Sequence, residues 1–169
     1  MSKVRSFAPV AGRGASALIL GSMPGAASLR AGQYYAHPRN LFWPIIERIF
    51  GCPAPLPYPA RLRLLKANGI ALWDVLRSCV RPGSADSAIE PSSITPNNFP
   101  AFFRTHAGIK HVFFNGSKAE ECYRRYVLPF LPASGTPLTY LRLPSTSPAH
   151  ASLAYGEKYR AWKKALLCK

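Results

Sequence analysis

Four short apolar runs punctuate the chain, at residues 17–20, 70–73, 111–114 and 138–143, and each stands before a turn containing Gly, Pro, Asn or Asp. They predict β-strands. Three of the runs are almost wholly apolar instead of alternating with polar residues, which is the pattern of strands covered on both faces by helices in a parallel sheet. Between the runs, residues 41–50, 61–68, 99–106 and 117–128 carry apolar side chains at helical spacing. The order is β-α repeated. Near the end Tyr155, Tyr159, Trp162 and Leu166 fall at steps of four, three and four, with Lys158, Arg160, Lys163 and Lys164 on the wet side, so a C-terminal helix should lie on the sheet. Residues 51–60 and 81–98 are rich in Pro, Gly, Ser and Asn and read as loops. The fold class expected is α/β, a three-layer α/β/α arrangement around a central four-stranded parallel sheet, in one domain spanning residues 1–169. In such open sheets ligands bind outside the carboxyl ends of the strands, so the residues just after the four runs are the ones to read for chemistry.

The length of 169 residues suits one compact domain, and 48% apolar residues supply a core. No stretch approaches the roughly 20 continuous apolar residues of a membrane span, and the opening sequence MSKVRSF lacks the apolar run of a secretory signal, so a cytoplasmic protein without a membrane partner is expected. Charge changes the picture. Twenty-two Lys and Arg against seven acidic residues give a net charge of +15, far beyond what solubility requires, and the basic residues are scattered among aromatics instead of forming a tail. A polyanionic partner follows, although a generally basic surface with no such role has the same composition. Cys52, Cys79, Cys122 and Cys168 form no C-x-x-C pair, which argues against zinc and for reduced structural thiols, while spacing alone leaves open an iron–sulfur cluster built from distant cysteines.

After the first predicted strand come Gly21, Ser22, Met23, Pro24 and Gly25, a turn bracketed by two glycines whose backbone N–H groups can face a ligand. An ordinary strand-end loop has the same make-up. Pro44 can sit only in the first turn of the next helix, which places Asn40 at or just before the helix cap. Asn40 is thus either a plain cap or an amide at a pocket edge that orients a water. Tyr35 is either core or a ring on which an extruded base stacks.

The string GSMPGAASLRAGQYYAHPRNLFW at residues 21–43 resembles the first active-site motif of the uracil-DNA glycosylase superfamily, and most closely its hypoxanthine-DNA (deoxyinosine) glycosylase branch. ALWDVLRSCVRPGSADSAI, VFFNGSKA and LPSTSPAHA, at residues 71–89, 112–119 and 143–151, resemble further stretches of the same superfamily in the same order. Many relatives place a water-activating Asp or Asn where this chain has Met23, whose thioether cannot act that way. The hypoxanthine branch relies on the asparagine of its H-P-x-N string, and the resemblance therefore implies Asn40 as the catalytic residue. It also implies that Tyr35 stacks on the flipped base, and that Asp74 and Asn115, closing the second and third strands, read its edge together with backbone donors of residues 21–25. Classical uracil enzymes have an asparagine where Asp74 stands, so strict uracil specificity is not expected. Asp74 as a simple turn residue bonded to the backbone nearby is the alternative. Pro144, Ser145, Thr146, Ser147, Pro148 and His150 resemble the loop that presses into the minor groove and holds phosphates. Leu143 stands where classical uracil enzymes begin that loop with a catalytic histidine, and His150 is either a phosphate contact or structural.

The resemblance implies a monomeric DNA glycosylase of base excision repair that acts on double-stranded DNA containing a damaged base, in the cytoplasm on a bacterial nucleoid, and needs no metal or organic cofactor. It flips out hypoxanthine and hydrolyses its N-glycosidic bond. A uracil or G:T/G:U mismatch enzyme is one alternative, and an inert nucleic-acid-binding module of the same fold, favoured by Met23, is another. A serine hydrolase centred on Ser22 is weak, because the surrounding sequence is not G-x-S-x-G.

Overall fold

Each of the four apolar runs is a strand in the computed structural model, which describes residues 3–133 and 137–169. In chain order the elements are β1 (Lys3–Arg5), β2 (Ala17–Gly21), α1 (Ala26–Ala31), α2 (Phe42–Ile49), α3 (Tyr58–Ala67), β3 (Ile70–Asp74), β4 (Leu76–Val80), β5 (Thr95–Pro96), α4 (Phe99–Thr105), β6 (His111–Asn115), α5 (Ser117–Tyr126), β7 (Thr139–Leu143) and α6 (Tyr155–Leu167).

Strands β3, β2, β6 and β7 lie side by side in that order, and all three pairings are parallel. Their side chains alternate between two cores. Leu18, Leu20, Ala71, Trp73, Val112 and Phe114 face Phe99 and Phe102 of α4 and Ala119, Cys122 and Tyr123 of α5. Ala17, Ile19, Ile70, Leu72 and Phe113 face Phe42, Trp43, Ile45 and Ile46 of α2, Leu65 of α3, and Trp162 and Leu166 of α6. With both faces covered, β2 and β3 are apolar up to Asp74 at the end of β3, which explains runs without alternation. The result is the three-layer α/β/α arrangement read from the sequence.

Several features depart from the expected map. A second, antiparallel sheet joins β1, β4 and β5. Its central strand starts one residue after β3 ends, with only Val75 between them, so no turn residue announces the change of direction. Helix α1 lies inside what reads as a loop. Helix α3 begins at Tyr58, within the expected loop 51–60, because Pro59 sits in the first turn where a missing N–H costs nothing. The expected loop 81–98 contains β5 and two short 3-10 turns, Asp86–Ala88 and Pro91–Ser93. Lys158, expected on the wet side of the last helix, is only 2% exposed, and its Nζ donates to the His150 carbonyl. One turn on, Trp162 Nε1 donates to the Pro144 carbonyl at 2.9 Å, so α6 holds both ends of the preceding loop. All four cysteines are free thiols, Cys79 and Cys122 buried in the core. Among the described residues no helix is long and apolar enough to cross a membrane.

The register brings the functional ends together. Gly21 pairs with Asp74 and Asn115 with Leu143, so the carboxyl ends of the four strands share one edge. From β2 the chain first adds β3 on one side and later β6 on the other, which makes the end of β2 the switch point where a crevice opens.

Candidate active site

The turn after β2 is shaped by what presses on it. A Cβ on Gly21 would stand 2.6 Å from Asp74 Oδ1 and 3.0 Å from the Tyr35 hydroxyl, so glycine is needed for close approach at this point. Tyr35 itself has φ +55, an uncommon left-handed backbone for a side chain of its size, and its ring is stacked on Phe42 with centroids 4.1 Å apart and planes 25° apart. Phe42, fully buried in α2, therefore backs the tyrosine ring. The Tyr35 hydroxyl is buried with no hydrogen-bond partner, and burial, followed by Asp74, pushes its pKa up. Asn40 lies one residue before the helix cap, as its place ahead of Pro44 implied. Its Oδ1 accepts the Phe42 N–H at 2.9 Å, which fixes the amide while leaving Nδ2 able to donate. The cap role and a water-orienting role are thus compatible in one side chain. Met23 is 6% exposed and lies mostly within the apolar core.

A segment far along the chain clamps this turn. Arg81, 4% exposed, donates from Nη2 to the Pro24 carbonyl at 2.6 Å and from Nη1 to the Met23 carbonyl at 3.5 Å. The Ala26 N–H donates to Ser84 Oγ at 2.9 Å, and Ser22 Oγ donates to Asp86 Oδ2 at 2.8 Å. Asp74, at the end of β3, is 3% exposed, and its Oδ2 has no partner. Burial pushes its carboxyl up to about 8, with the charge of Asp86 adding to the rise and Arg81 opposing it. At neutral pH Asp74 is therefore mostly a neutral acid, with a proton to donate. Burial also raises Asp86, but the Ser22 hydrogen bond and the Arg81 and Lys118 charges hold it down. The two carboxyl groups have different surroundings, Asp74 with no partner on Oδ2 and Asp86 with the Ser22 hydroxyl on its Oδ2.

Asn115, at the end of β6, joins two loops. Its Oδ1 accepts the Thr146 N–H and its Nδ2 donates to Thr146 Oγ1, both at 2.9 Å. Thr146 is fully buried, and its carbonyl accepts the Leu41 N–H at 3.0 Å. The last loop is thereby tied to the start of α2 next to Asn40, and Asn115 keeps one amide hydrogen for other use. Gly116, with φ +93, would bring a Cβ to 3.0 Å from Ser145 Cβ, so the two loops touch here. The hydroxyls of Ser145 and Ser147 accept the N–H groups of Ser147 and Ala149, both at 3.2 Å, and shape their own loop.

The turn of residues 21–25, Tyr35, Asn40, Asp74, Asp86, Asn115 and the loop of residues 145–150 border one cavity of about 610 Å³. Every residue singled out in the sequence lines it except Pro144, whose carbonyl instead receives the Trp162 indole. Asp86, His37, Ser84 and Lys118 also line it, and sequence reasoning gave them no role. For Asp86 a signal was present. The chain has only seven acidic residues, and one of them sits in a stretch that resembles a known motif. Among the described residues no group of three or more His, Cys, Asp or Glu side chains is arranged to hold a metal.

The arrangement suits an electron-rich planar ligand: an aromatic ring in Tyr35, a neutral acid in Asp74, a second carboxyl in Asp86 and a fixed amide in Asn40. Comparisons with known proteins agree in family. Residues 9–169 match the model of the uracil DNA glycosylase superfamily. A curated hypoxanthine DNA glycosylase of Methanosarcina barkeri is 40% identical over 120 residues, covering 70% of this chain and 75% of that protein. Its namesake from Methanosarcina acetivorans is 37% identical over 118 residues, covering 69% and 73%. Both organisms are archaea, so these relatives lend no support to a bacterial nucleoid as the place of action. The solution NMR structure of a Methanosarcina acetivorans protein, described as a candidate uracil DNA glycosylase, superposes with a TM-score of 0.78 at 32% identity over 98% of this chain and 97% of that one. With the matched span running from before β2 through α6, and with relatives of this similarity aligned over most of their length, the chain belongs to the uracil DNA glycosylase superfamily.

Proposed function

We propose that this protein is a monofunctional DNA glycosylase that removes hypoxanthine from deoxyinosine in double-stranded DNA, acting as a monomer in the cytoplasm and leaving an abasic site for base excision repair. The observation that carries this reading is the convergence of Tyr35, Asn40, Asp74 and Asn115 on one cavity at the carboxyl edge of the sheet. The names of the curated relatives support the choice of base. A base inside the duplex cannot reach such a cavity, so the nucleotide must be flipped out, at a cost of a few kcal/mol that is least at a damaged or mismatched pair. The net charge of +15 draws the phosphate backbone to the protein.

In this mechanism the extruded base lies on Tyr35, which Phe42 holds from behind. The neutral carboxyl of Asp74 donates to the carbonyl oxygen of the base, and Gly21, Ser22, Met23 and Gly25, each with a backbone N–H, line the cavity beside it together with the ring of Pro24. Breaking the N-glycosidic bond moves negative charge onto the departing base while the sugar becomes oxocarbenium-like, so a donor aimed at the base oxygen acts most strongly in the transition state. Asn40, its Oδ1 anchored to the Phe42 N–H, uses Nδ2 and the remaining lone pair to place the attacking water. Pro144, Ser145, Thr146, Ser147, Pro148 and His150 form the loop that meets the DNA, held by Asn115 and by Lys158 and Trp162 of α6.

The test is an incubation with duplexes carrying a single deoxyinosine or deoxyuridine, followed by alkali, which cuts at abasic sites. Cleavage at deoxyinosine is expected. Cleavage at deoxyuridine alone would overturn the choice of base, and no cleavage anywhere would leave a DNA-binding protein without glycosylase activity.

A further inference from the structure

Deamination of adenine has a chemical signature on one edge of the ring. An amino donor beside a bare ring nitrogen acceptor becomes a carbonyl acceptor beside an N–H donor. Cytosine changes to uracil in the same sense. A pocket that reads the altered edge and rejects the parent needs one fixed donor next to one fixed acceptor, and two groups of the same kind cannot serve.

The cavity holds such a pair. Asp74 at the end of β3 and Asp86 at the start of a 3-10 turn both line the cavity, as does Ser22, whose hydroxyl bonds Asp86. Asp74 is almost fully buried, with Oδ2 unpartnered, so its carboxyl has hydrogen-bonding capacity left over. Asp86 is only partly buried. Ser22 Oγ donates to its Oδ2 at 2.8 Å, and among the described residues its Oδ1 has no partner. In a chain with a net charge of +15 and only seven acidic residues, a carboxylate at the mouth of a DNA-binding cavity repels the substrate's phosphates. Arg81 and Ser84 clamp the backbone of the turn after β2, and the charge of the buried Arg81 is offset in part by Asp86, whose Oδ1 is still left for a ligand.

We propose that Asp86 is a specificity-determining residue: its carboxylate accepts the ring N–H of a deaminated base while Asp74 donates to the adjacent carbonyl, so that the pair recognises the edge created by deamination. Adenine reverses both positions. Its ring nitrogen lone pair would face the Asp86 carboxylate, acceptor against acceptor, and neither group would gain a hydrogen bond from the contact. The division of roles agrees with the surroundings: burial holds Asp74 neutral, while Asp86 takes the Ser22 hydroxyl on Oδ2 and faces Arg81 and Lys118, whose charges oppose the rise that burial causes. The charged and titratable groups facing Asp86 are Asp74 from β3, Arg81 from its own loop, Lys118 from α5 and, through the core, Tyr35, Cys79 and Cys122.

This inference rests on the glycosylase reading above, and one set of duplexes separates the two. Single-turnover rates are measured for the wild type and Asp86→Asn on deoxyinosine and on N1-methyl-deoxyinosine, which lacks the ring N–H. The wild type should release hypoxanthine and be slowed at least about tenfold by the methyl group, the scale set by an unpaired buried acceptor. Asp86→Asn should be slower on deoxyinosine by a similar factor and should lose most of the discrimination against the methyl group. Should a melting curve show Asp86→Asn unfolded, Asp86→Ser, which keeps a hydroxyl beside Ser22, carries the same expectations. A folded variant that matches the wild type on deoxyinosine, or that discriminates between the two lesions as strongly, overturns the role of Asp86 and leaves the glycosylase standing. A wild type inert on deoxyinosine overturns both.

Discussion

Replacing Asp74 by Asn should flatten the dependence of stability on pH. The carboxyl is 3% exposed and its Oδ2 is unpartnered, and burial raises its pKa from 3.8 to about 8. The folded protein thus keeps a proton that the unfolded chain gives up a little above pH 4. Because the folded value is the higher one, this group's contribution is whole below 3.8 and is lost progressively until the pH passes about 8. Within that window one proton's difference is worth roughly 1 kcal/mol per pH unit, so roughly 2–3 kcal/mol is lost between pH 5 and pH 7. Asparagine has nearly the same shape, retains one donor and one acceptor, and does not titrate. Urea denaturation of both proteins at pH 5, 6 and 7 measures the difference directly, since every other titrating group is common to the two. The expected result is a gap that widens by about 2–3 kcal/mol across the range, with Asp74→Asn the more stable at neutral pH. Parallel lines would mean that Asp74 is already ionised in the folded state at pH 5, and its role as a neutral donor would fall with that.

Other substitutions test the remaining parts of the site. Asn40→Ala should lower the single-turnover rate on deoxyinosine about a hundredfold or more and cost about 1 kcal/mol of stability through the lost Phe42 N–H contact, while a filter-binding assay finds DNA affinity little changed. Gly21→Ala would drive a methyl group to 2.6 Å from Asp74 Oδ1, so activity should drop at least about tenfold with the circular dichroism spectrum intact. Tyr35→Phe removes a buried hydroxyl that has no partner, and thermal melting should find the variant as stable as the wild type or more stable by about 1 kcal/mol. Tyr35→Ala should weaken binding to lesion-containing DNA by roughly 1–3 kcal/mol through lost base stacking.

The sheet was legible because its strands are buried on both faces, so that residues 17–20 and 70–73 stand out as unbroken apolar runs. The helices were legible from their apolar spacing, with boundaries off by a few residues where Pro59 extends α3 toward the N-terminus. Strand β4 was hidden because it follows β3 after Val75 alone, and its partners are separated from it by much of the chain. Lys158 was misplaced by the ordinary rule that lysines face water, and only the carbonyl of His150 explains its burial. The residues of the first and last motifs could be picked out by resemblance, since each string is local. Arg81 and Asp86 act on Pro24 and Ser22 across separations of 57 and 64 residues, and no periodicity or spacing encodes such bonds. The same holds for Asn115, whose amide is mostly spent on Thr146, 31 residues away.

The central claim is that one extruded base occupies the cavity bordered by Tyr35, Asn40 and Asp74. A crystal structure with a duplex containing 2′-fluoro-deoxyinosine, whose fluorine disfavours the oxocarbenium-like transition state and so blocks cleavage, measures this most directly. Hypoxanthine should lie flat against Tyr35, its carbonyl within hydrogen-bonding distance of Asp74 and a water between Asn40 and the anomeric carbon. A base still stacked in the helix, or seated away from these three side chains, would contradict it.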